Sequence, residues 1–277
     1  KRMTLTIGDD VFDLSGIWQY AVTAEADRDC PFEDFVRWKP TGLYNAMLAP
    51  CFPYAVRAVL WYQGESNTGD YAMRYGDELK AMIELWRGKW HQPDMPFLIV
   101  QLPKFGIDAI EDGGWPLIRE QEWRVADELE HVAAVVTLDA GESNDLHPHD
   151  KKTIADRAFN VAMDFVYGQQ AQPQPVVETA EADDGLLRMH CVWRNSMGEQ
   201  MQSQNRHLMT LDGDVPREID FLWHDCATSV RAEAWLDGCD IVARIPSRMP
   251  DEVRYAWSNS PESGLICDGD GVLLPPF

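Results

Sequence analysis

Short apolar runs alternate with helix-like segments through the middle of the chain. Residues 55–62, 96–102 and 132–138 form almost continuous apolar runs, which are typical of strands buried on both faces of a sheet. Each run is followed by a segment whose apolar residues recur every three or four positions, and this spacing predicts a helix. Residues 55–167 therefore contain three successive strand–helix pairs, the order of a parallel, doubly wound α/β sheet.

The two ends of the chain show a different pattern. The first 40 residues favour β structure and loops, with weak alternation over residues 4–7 and 17–22. A polar, proline-containing segment at 168–176 is typical of a linker. Beyond it, short alternating runs separated by Gly, Pro, Asn and Asp predict a small β-sandwich. The candidate strands are residues 186–193, 218–223, 229–236, 240–245 and 253–257.

These patterns give a fold class and three regions. We expect an α/β protein with a partial, flavodoxin-like, doubly wound parallel sheet and a C-terminal β-rich, sandwich-like domain. The predicted regions are a β-rich segment at 1–40, an α/β domain at 41–168 and the sandwich-like domain at 169–277. Ligands of doubly wound sheets bind beyond the carboxyl ends of the strands. The loops expected to carry a site are therefore 63–70, 103–115 and 139–150.

The first of these loops contains Gly64, Glu65, Ser66 and Asn67 directly after a predicted strand. A Gly N–H and an Asn amide at this spacing can both point at one developing negative oxygen, as an oxyanion hole requires. The same residues also suit a polar turn in which Ser or Asn caps the next helix. A nucleophile elbow, G-x-S-x-G, would make Ser66 the attacking group, but Thr68 stands where the last Gly is required.

The third loop contains Asp145, His147, His149 and Asp150. His147 suits a general base, and Asp145 suits the acid that fixes the imidazole tautomer and stabilises the imidazolium. The same residues also suit a helix start capped by Asp, or a metal site. Because the sequence has no Cys or His cluster with zinc spacing, we expect no metal.

Further side chains near these loops are candidates for contacts with a substrate. Gln63 and Glu65 lie in the first loop, and Gln101 lies at the end of the second predicted strand. Arg119 and Gln121 lie near the start of the following helix, where a solvated helix face explains them equally well.

Composition narrows the classes of ligand. With 46 acidic and 24 basic side chains, the formal net charge is −22, which argues against nucleic acid and against an anionic membrane surface. No apolar run approaches the ~20 residues of a membrane-spanning helix. Eleven Trp are many for this length, and Trp occurs both in cores and in sugar-binding clefts. Six scattered Cys suit core thiols or the disulfides of an exported protein.

The motif YQGESN in the first loop is paired with DLHPHDKK in the third, and other matching segments lie between and around them. The segments are PTGLYNAMLAP (40–50), AVLWYQGESN (58–67), MPFLIVQLP (95–103), LIREQEW (117–123), VVTLDAGESNDLHPHDKKTIADRA (135–158), VRYAWSNSPESGL (253–265) and LLPPF (273–277). In order and spacing they resemble the sialate O-acetylesterase family of SGNH hydrolases. These are carbohydrate esterases that remove acetyl groups from sugars.

The resemblance implies roles for particular residues. Gly64 and Asn67 match the third SGNH block, whose Asn donates to the oxyanion. His147 matches the catalytic base and Asp145 its acid partner, although the general D-x-x-H spacing would place Asn144 at the acid's position. The implied substrate is an acetylated sugar, either sialic acid or a plant glycan, and the implied reaction needs no cofactor.

The resemblance also implies that part of the enzyme is missing. The family's nucleophile is a Ser in a G-Q-S-N-like block near the end of the first strand, and neither this block nor the second block, with its oxyanion Gly, occurs here. SGNH sheets have five parallel strands, whereas this pattern predicts three. We therefore expect a C-terminal portion that is inactive alone, with the nucleophilic Ser in an upstream segment or a partner chain.

Two other hypotheses stay open. The chain could be a non-catalytic, carbohydrate-binding relative, or a hydrolase that uses Ser66. The sequence also leaves the compartment open, and an extracellular or periplasmic location fits it.

Overall fold

The computed structural model describes residues 4–16, 39–52, 54–106, 114–169, 172–201, 206–226 and 229–277. Contacts divide the chain into two compact units, Lys1–Cys51 and Phe52–Phe277.

The first unit contains a short antiparallel hairpin of β1 (Thr4–Ile7) and β2 (Asp10–Asp13). This hairpin matches the strand predicted at residues 4–7. A π-helical turn, Tyr44–Leu48, and a 3-10 turn, Ala49–Cys51, follow in the same unit. The other strand predicted here, residues 17–22, lies outside the described residues.

The first part of the second unit is a three-stranded parallel sheet with helices on both faces. Its strands are β3 (Val59–Trp61), β4 (Phe97–Val100) and β5 (Val132–Val135), in the order β3-β4-β5. Its helices are α1 (Ala72–Trp90), α2 (Gly114–Glu128) and α3 (Lys151–Phe165). Three parallel strands, each followed by a helix, confirm the mixed α/β class that the apolar runs predict.

The central position of β4 in the sheet explains why its sequence is continuously apolar. All four of its residues are buried. Phe97 and Ile99 join residues of α1 and α2 in one core cluster, whereas Leu98 and Val100 join residues of α3 in another. Successive side chains of a strand point to opposite faces, so a strand covered on both faces needs apolar residues at every position.

Helix α2 begins two residues earlier than its sequence predicts. The prediction places Pro116 at the first helical position, but the helix begins at Gly114 and Pro116 lies in its first turn. A Cβ on Gly114 would lie 2.7 Å from the Cβ of Thr68 and 2.8 Å from the backbone nitrogen of Gly69. The start of α2 therefore packs directly on the loop that follows β3.

The rest of the second unit is antiparallel. Its strands are β6 (Gln174–Asp183), β7 (Leu186–Arg194), β8 (Leu208–Thr210), β9 (Ile219–Leu222), β10 (Val230–Arg231), β11 (Glu233–Asp237), β12 (Asp240–Arg244), β13 (Glu252–Tyr255) and β14 (Ile266–Asp268). They form sheets in the orders β11-β12-β7-β6, β10-β9-β13 and β14-β8. One core cluster includes residues from most of these strands, among them Trp193, Phe221 and Tyr255.

Strand β6 was not predicted and shortens the expected linker at 168–176, because it begins at Gln174. It lies at the edge of its sheet, and its residues from Glu178 onward are exposed. An edge strand without a covered face carries little apolar alternation, so its sequence resembles a linker. No disulfide joins cysteines within the described part of the chain, and Cys30 lies outside it. The helices of the described ranges include none that is long and apolar enough to cross a membrane.

Candidate active site

The loop after β3 passes closely over helix α2. Gly64 is buried, and a Cβ at its position would lie 2.8 Å from Cγ2 of Ile118 and 3.3 Å from Oε1 of Glu122. Only a residue without a side chain fits this approach. A 3-10 turn, Glu65–Asn67, follows and is closed by the Asn67 N–H, which donates to the Gly64 carbonyl at 2.9 Å.

Side chains within this loop orient the two groups predicted to bind an oxyanion. Nε2 of Gln63 donates to Oδ1 of Asn67 at 2.8 Å, so the NH2 end of the Asn67 amide is the end that can donate to a ligand. The Gly64 N–H donates to Oε2 of Glu65 at 3.0 Å. This N–H therefore already binds a carboxylate oxygen, and a substrate oxyanion would have to displace the Glu65 carboxylate from it.

Two tyrosines lie near the start of the loop, and Tyr75 bonds to it. The Tyr75 hydroxyl of α1 donates to the Gln63 carbonyl at 2.5 Å and accepts from the Trp61 indole N–H at 3.2 Å. Burial raises the pKa of Tyr75. Burial, with smaller contributions from the carboxyl groups of Glu65 and Glu122, raises the pKa of Tyr62 to about 12. Both phenols are therefore neutral at physiological pH.

Glu122 lies inside the protein under Gly64. It is fully buried, and its Oε2 accepts from the Leu102 N–H at 3.0 Å. Burial is the largest cause that raises the pKa of Glu122 well above its usual range. Sequence reasoning missed this residue. The available signal was its place in the buried stripe of α2, four residues after Ile118 and three before Val125, where a carboxyl group is rare.

Arg119 is buried and bonds to backbone carbonyls of two other segments of the chain. It is fully buried on α2, and its guanidinium donates to the carbonyls of Leu102 and Pro103 and to those of Ser258 and Asn259, at 2.7–3.1 Å. These bonds join the end of β4, helix α2 and a C-terminal loop. Its Nε, Nη1 and Nη2 atoms all donate to backbone carbonyls, and its contact with a substrate stays a prediction.

The two glutamines expected near a substrate are also buried. Nε2 of Gln101 donates to the Arg119 carbonyl at 2.9 Å. Gln121 faces α1 instead of the sheet edge, because its Oε1 accepts from Arg124 and would lie 2.5 Å from a Cβ on Gly76. Both side chains support the packing of α2 in this structure.

The third loop places Asp145 between two histidines. Oδ1 of Asp145 accepts from the backbone N–H of His147 at 3.0 Å, and its Oδ2 lies 3.2 Å from Nε2 of His149. The His149 N–H donates to Glu142 at 3.2 Å. The predicted pair of Asp145 and His147 is thus joined through the backbone, and Asp145 also contacts the imidazole of His149, which the sequence suggested only as a possible metal ligand.

The helix that follows this loop is capped by Asp150. Its carboxylate accepts from both the backbone N–H and the hydroxyl of Thr153, at 3.1 and 2.6 Å. Asp150 therefore caps helix α3, as one of the interpretations of the sequence predicts. Within the described ranges, no group of three or more His, Cys, Asp or Glu side chains is arranged to hold a metal ion.

Contacts at the carboxyl edge of the sheet join Tyr62 to the start of α3, and the second loop to the third. Nζ of Lys151, at the start of α3, lies 3.5 Å from the Tyr62 hydroxyl and 4.8 Å from the centre of its ring. The Gly106 N–H donates to the Ser143 carbonyl at 2.8 Å, which joins the second loop to the third. The Gly64–Asn67 turn and the Asp145–His149 segment therefore lie at the same edge of the sheet, on the loops that follow its two outer strands.

Ser66 lies exposed in the middle of the first turn. Among the described residues, no hydrogen bond joins it to a histidine. A cavity of about 380 Å³ lies elsewhere, between the edge strands β5 and β6, and none of the predicted site residues lines it.

Residues 33–157 match the family model described as "Carbohydrate esterase, sialic acid-specific acetylesterase". The chain is 30% identical to the sialate O-acetylesterase of Mus musculus over 284 residues, covering 91% of this chain and 50% of that protein. It is also 30% identical to the sialate O-acetylesterase of Homo sapiens over 272 residues, covering 86% of this chain and 49% of that protein. The chain belongs to the sialic acid-specific acetylesterase family of SGNH-type carbohydrate esterases.

A solved relative supports the same family at the level of the fold. The crystal structure of a carbohydrate acetylesterase from Xanthomonas citri matches with a TM-score of 0.74 and 30% identity, over 85% of this chain and 53% of that one. The chain spans about half the length of the curated relatives it matches. The matched region of the family contains the first and third loops, with Gly64, Asn67, Asp145 and His147.

Proposed function

We propose that this chain provides the base and the oxyanion donors of an esterase that removes acetyl groups from sugars. The observation that carries the proposal is that the Gly64–Asn67 turn and the loop of Asp145 and His147 both follow parallel strands of one sheet, and that Lys151, just after the second of these loops, lies 3.5 Å from the Tyr62 hydroxyl. Family membership gives the reaction class, carboxylic ester hydrolysis. The sialate O-acetylesterases and the carbohydrate acetylesterase among its relatives suggest an acetylated sugar, sialic acid or a plant glycan, as the substrate.

The proposed chemistry is acyl transfer through a serine. A Ser hydroxyl attacks the acetyl carbonyl carbon while His147 accepts its proton, and Asp145 orients His147. The tetrahedral intermediate collapses, the sugar oxygen leaves with the proton from His147, and an acetyl-serine remains. Water then attacks the acetyl group while His147 accepts its proton. The serine oxygen takes this proton from His147 as it leaves, and the acetic acid that is released ionises to acetate. The attacking Ser is assigned to a segment outside these 277 residues, and the reaction requires no cofactor.

The oxyanion would be bound by the Gly64 N–H and the Asn67 NH2 group. The Gly64 N–H already donates to a carboxylate oxygen of Glu65, which stands in for a negatively charged oxygen at this place. Gln63 holds the Asn67 amide by its oxygen and leaves its NH2 end toward a ligand. Loss of one such donor typically lowers kcat roughly 10²–10³-fold.

The test uses this chain co-expressed with the segment that precedes it in its gene, with hydrolysis of 4-nitrophenyl acetate as the measurement. His147→Ala should lower kcat/KM roughly 10²–10⁴-fold. His149→Ala is the matched control, since it removes the other imidazole near Asp145 and should leave most of the activity. A larger loss from His149→Ala than from His147→Ala would move the base to His149.

The isolated chain provides a second arm of this test. It should hydrolyse the ester no faster than its own His147→Ala variant, because the attacking serine is absent. Robust His147-dependent turnover by the isolated chain would contradict this assignment and favour Ser66 as the nucleophile.

One observation favours a second candidate, a non-catalytic carbohydrate-binding relative. Glu65 occupies the Gly64 N–H, which an active oxyanion site must free. Glycan binding that survives His147→Ala, together with no esterase activity even beside the preceding segment, would favour this candidate over the esterase.

A further inference from the structure

We propose that Glu122 is a positioning residue that must stay uncharged for the Gly64–Asn67 turn to keep its place. This inference rests on the proposed role of that turn in binding the oxyanion. It concerns a buried carboxyl group that the proposed acyl transfer does not use.

The two oxygens of Glu122 have different surroundings. Oε2 accepts from the Leu102 N–H at 3.0 Å, at the carboxyl end of β4. Oε1 has no hydrogen-bond partner among the described residues, although it is fully shielded from solvent. It lies directly behind Gly64, 3.3 Å from the point where a Cβ would stand. One carboxyl group therefore bonds to the segment that follows β4 and packs against the backbone of the first loop.

The groups that face Glu122 do not compensate a negative charge. From the first loop, Glu65 adds a like charge, and Tyr62 and Tyr75 present phenols whose own pKa values Glu122 helps to raise. The cation on its own helix, Arg119, favours ionisation, but it donates to backbone carbonyls, and the described ion pairs do not include Arg119 with Glu122. An ionised carboxylate buried without a paired cation is strongly unfavourable.

The neutral form also suits the proposed reaction. A charged Glu122 would lie behind the N–H that is meant to receive a developing oxyanion, and two negative charges at this separation repel in a poorly solvated interior. Burial raises the pKa of Glu122, which keeps the group uncharged over a wider range of pH. Rising pH should therefore displace the turn when Glu122 ionises, before general unfolding.

Backbone NMR of the isolated chain tests this without any need for activity. The amide signals of Gly64 and Leu102 should titrate together, with a midpoint well above the ordinary Glu pKa of roughly 4.3. In Glu122→Gln, which keeps the shape without the charge, this titration should vanish. Glu120→Gln on the exposed side of the same helix is the matched control and should leave it in place.

Each outcome decides the inference. A titration of Gly64 and Leu102 near the ordinary Glu range, or one that persists in Glu122→Gln, overturns it. If Glu122→Gln does not fold, the midpoint of the wild-type titration still decides, because a midpoint near the ordinary Glu range overturns the inference.

A second readout separates positioning from a merely structural role. With the preceding segment present, wild-type kcat should fall about tenfold per pH unit once Glu122 ionises, while Glu122→Gln should keep its activity over that range. Equal alkaline loss in both proteins overturns the positioning role. If the complex shows no His147-dependent activity at all, the proposed function fails, and the amide titration still reports separately on Glu122.

Discussion

The first and third loops lie at the same edge of the sheet but are held in different ways. The first loop rests on helix α2, where buried groups leave no room for a side chain at Gly64. The third loop is held by hydrogen bonds among its own carboxylates and backbone N–H groups, and His147 and His149 are exposed. The proposed oxyanion donors are thus held by packing, and the proposed base is left in contact with solvent.

This difference suits the chemistry proposed for each loop. Oxyanion donors act best when they are already in place before the charge develops. A general base must exchange its proton with water in the second half of the reaction, so partial exposure suits it. If this comparison is correct, changes around α2 should cost stability, and changes in the third loop should cost activity with little loss of stability.

The largest loss of stability is expected for Arg119→Ala. The substitution removes a buried cation and leaves the carbonyls of Leu102 and Ser258 without their donor, so we expect a loss of about 3–5 kcal/mol in the free energy of unfolding. Urea denaturation measures it. The control on the same helix is Arg124→Ala, which breaks only partly exposed contacts and should cost about 1 kcal/mol or less. Equal losses would mean that the buried bonds of Arg119 do not hold this region together.

A smaller loss is expected for Gly64→Ala. The new Cβ would come within 2.8 Å of Ile118, so the loop or the helix has to move, at about 1–3 kcal/mol. Thermal unfolding measures this loss. The matched control is Gly88→Ala, where the added Cβ meets open space within α1 and should stabilise the protein by about 0.5–1 kcal/mol. An unchanged Tm in Gly64→Ala would show that packing against α2 does not hold the first loop in place.

The pH dependence of the free energy of unfolding tests the buried carboxyl group beneath the first loop. Because the pKa of Glu122 is raised in the folded protein, the native state holds its proton more tightly than the unfolded chain does. Neutral Glu122 makes its full contribution to stability below its pKa in the unfolded chain, roughly 4.3. This contribution is lost as pH rises through its raised pKa in the folded protein. Glu122→Gln should therefore flatten the pH dependence above that value, measured by urea denaturation at several pH values. A wild type and variant with parallel pH profiles would contradict the raised pKa.

The smallest loss of stability is expected in the third loop, for Asp145→Asn. The side chain is partly exposed and its contacts are local, so the free energy of unfolding should change by less than about 1 kcal/mol. Activity of the co-expressed complex should nevertheless fall roughly 10³–10⁴-fold, since the amide cannot stabilise the imidazolium. A loss of stability as large as that of Gly64→Ala would remove the contrast between the loops.

The elements of the α/β part could be predicted because their signals are local. The apolar run of β4 and the spacing of apolar residues in α1 and α3 each lie within a single segment of the chain. The edge strand β6 could not be predicted in this way, because its exposed second half carries no buried face. The placement of the first and third loops at one edge of the sheet followed from the predicted strand order alone, since parallel strands end on the same side.

The sequence by itself determined the class of fold, the family and the loops where a site is expected. Only the tertiary structure decided which polar side chains are used for packing. Arg119 bonds to carbonyls of Ser258 and Asn259, 139 and 140 residues later in the chain, and Glu122 lies under Gly64 from a neighbouring helix. Periodicity reports how a residue sits relative to its own helix or strand, whereas burial and choice of partner depend on segments that become neighbours only when the chain folds.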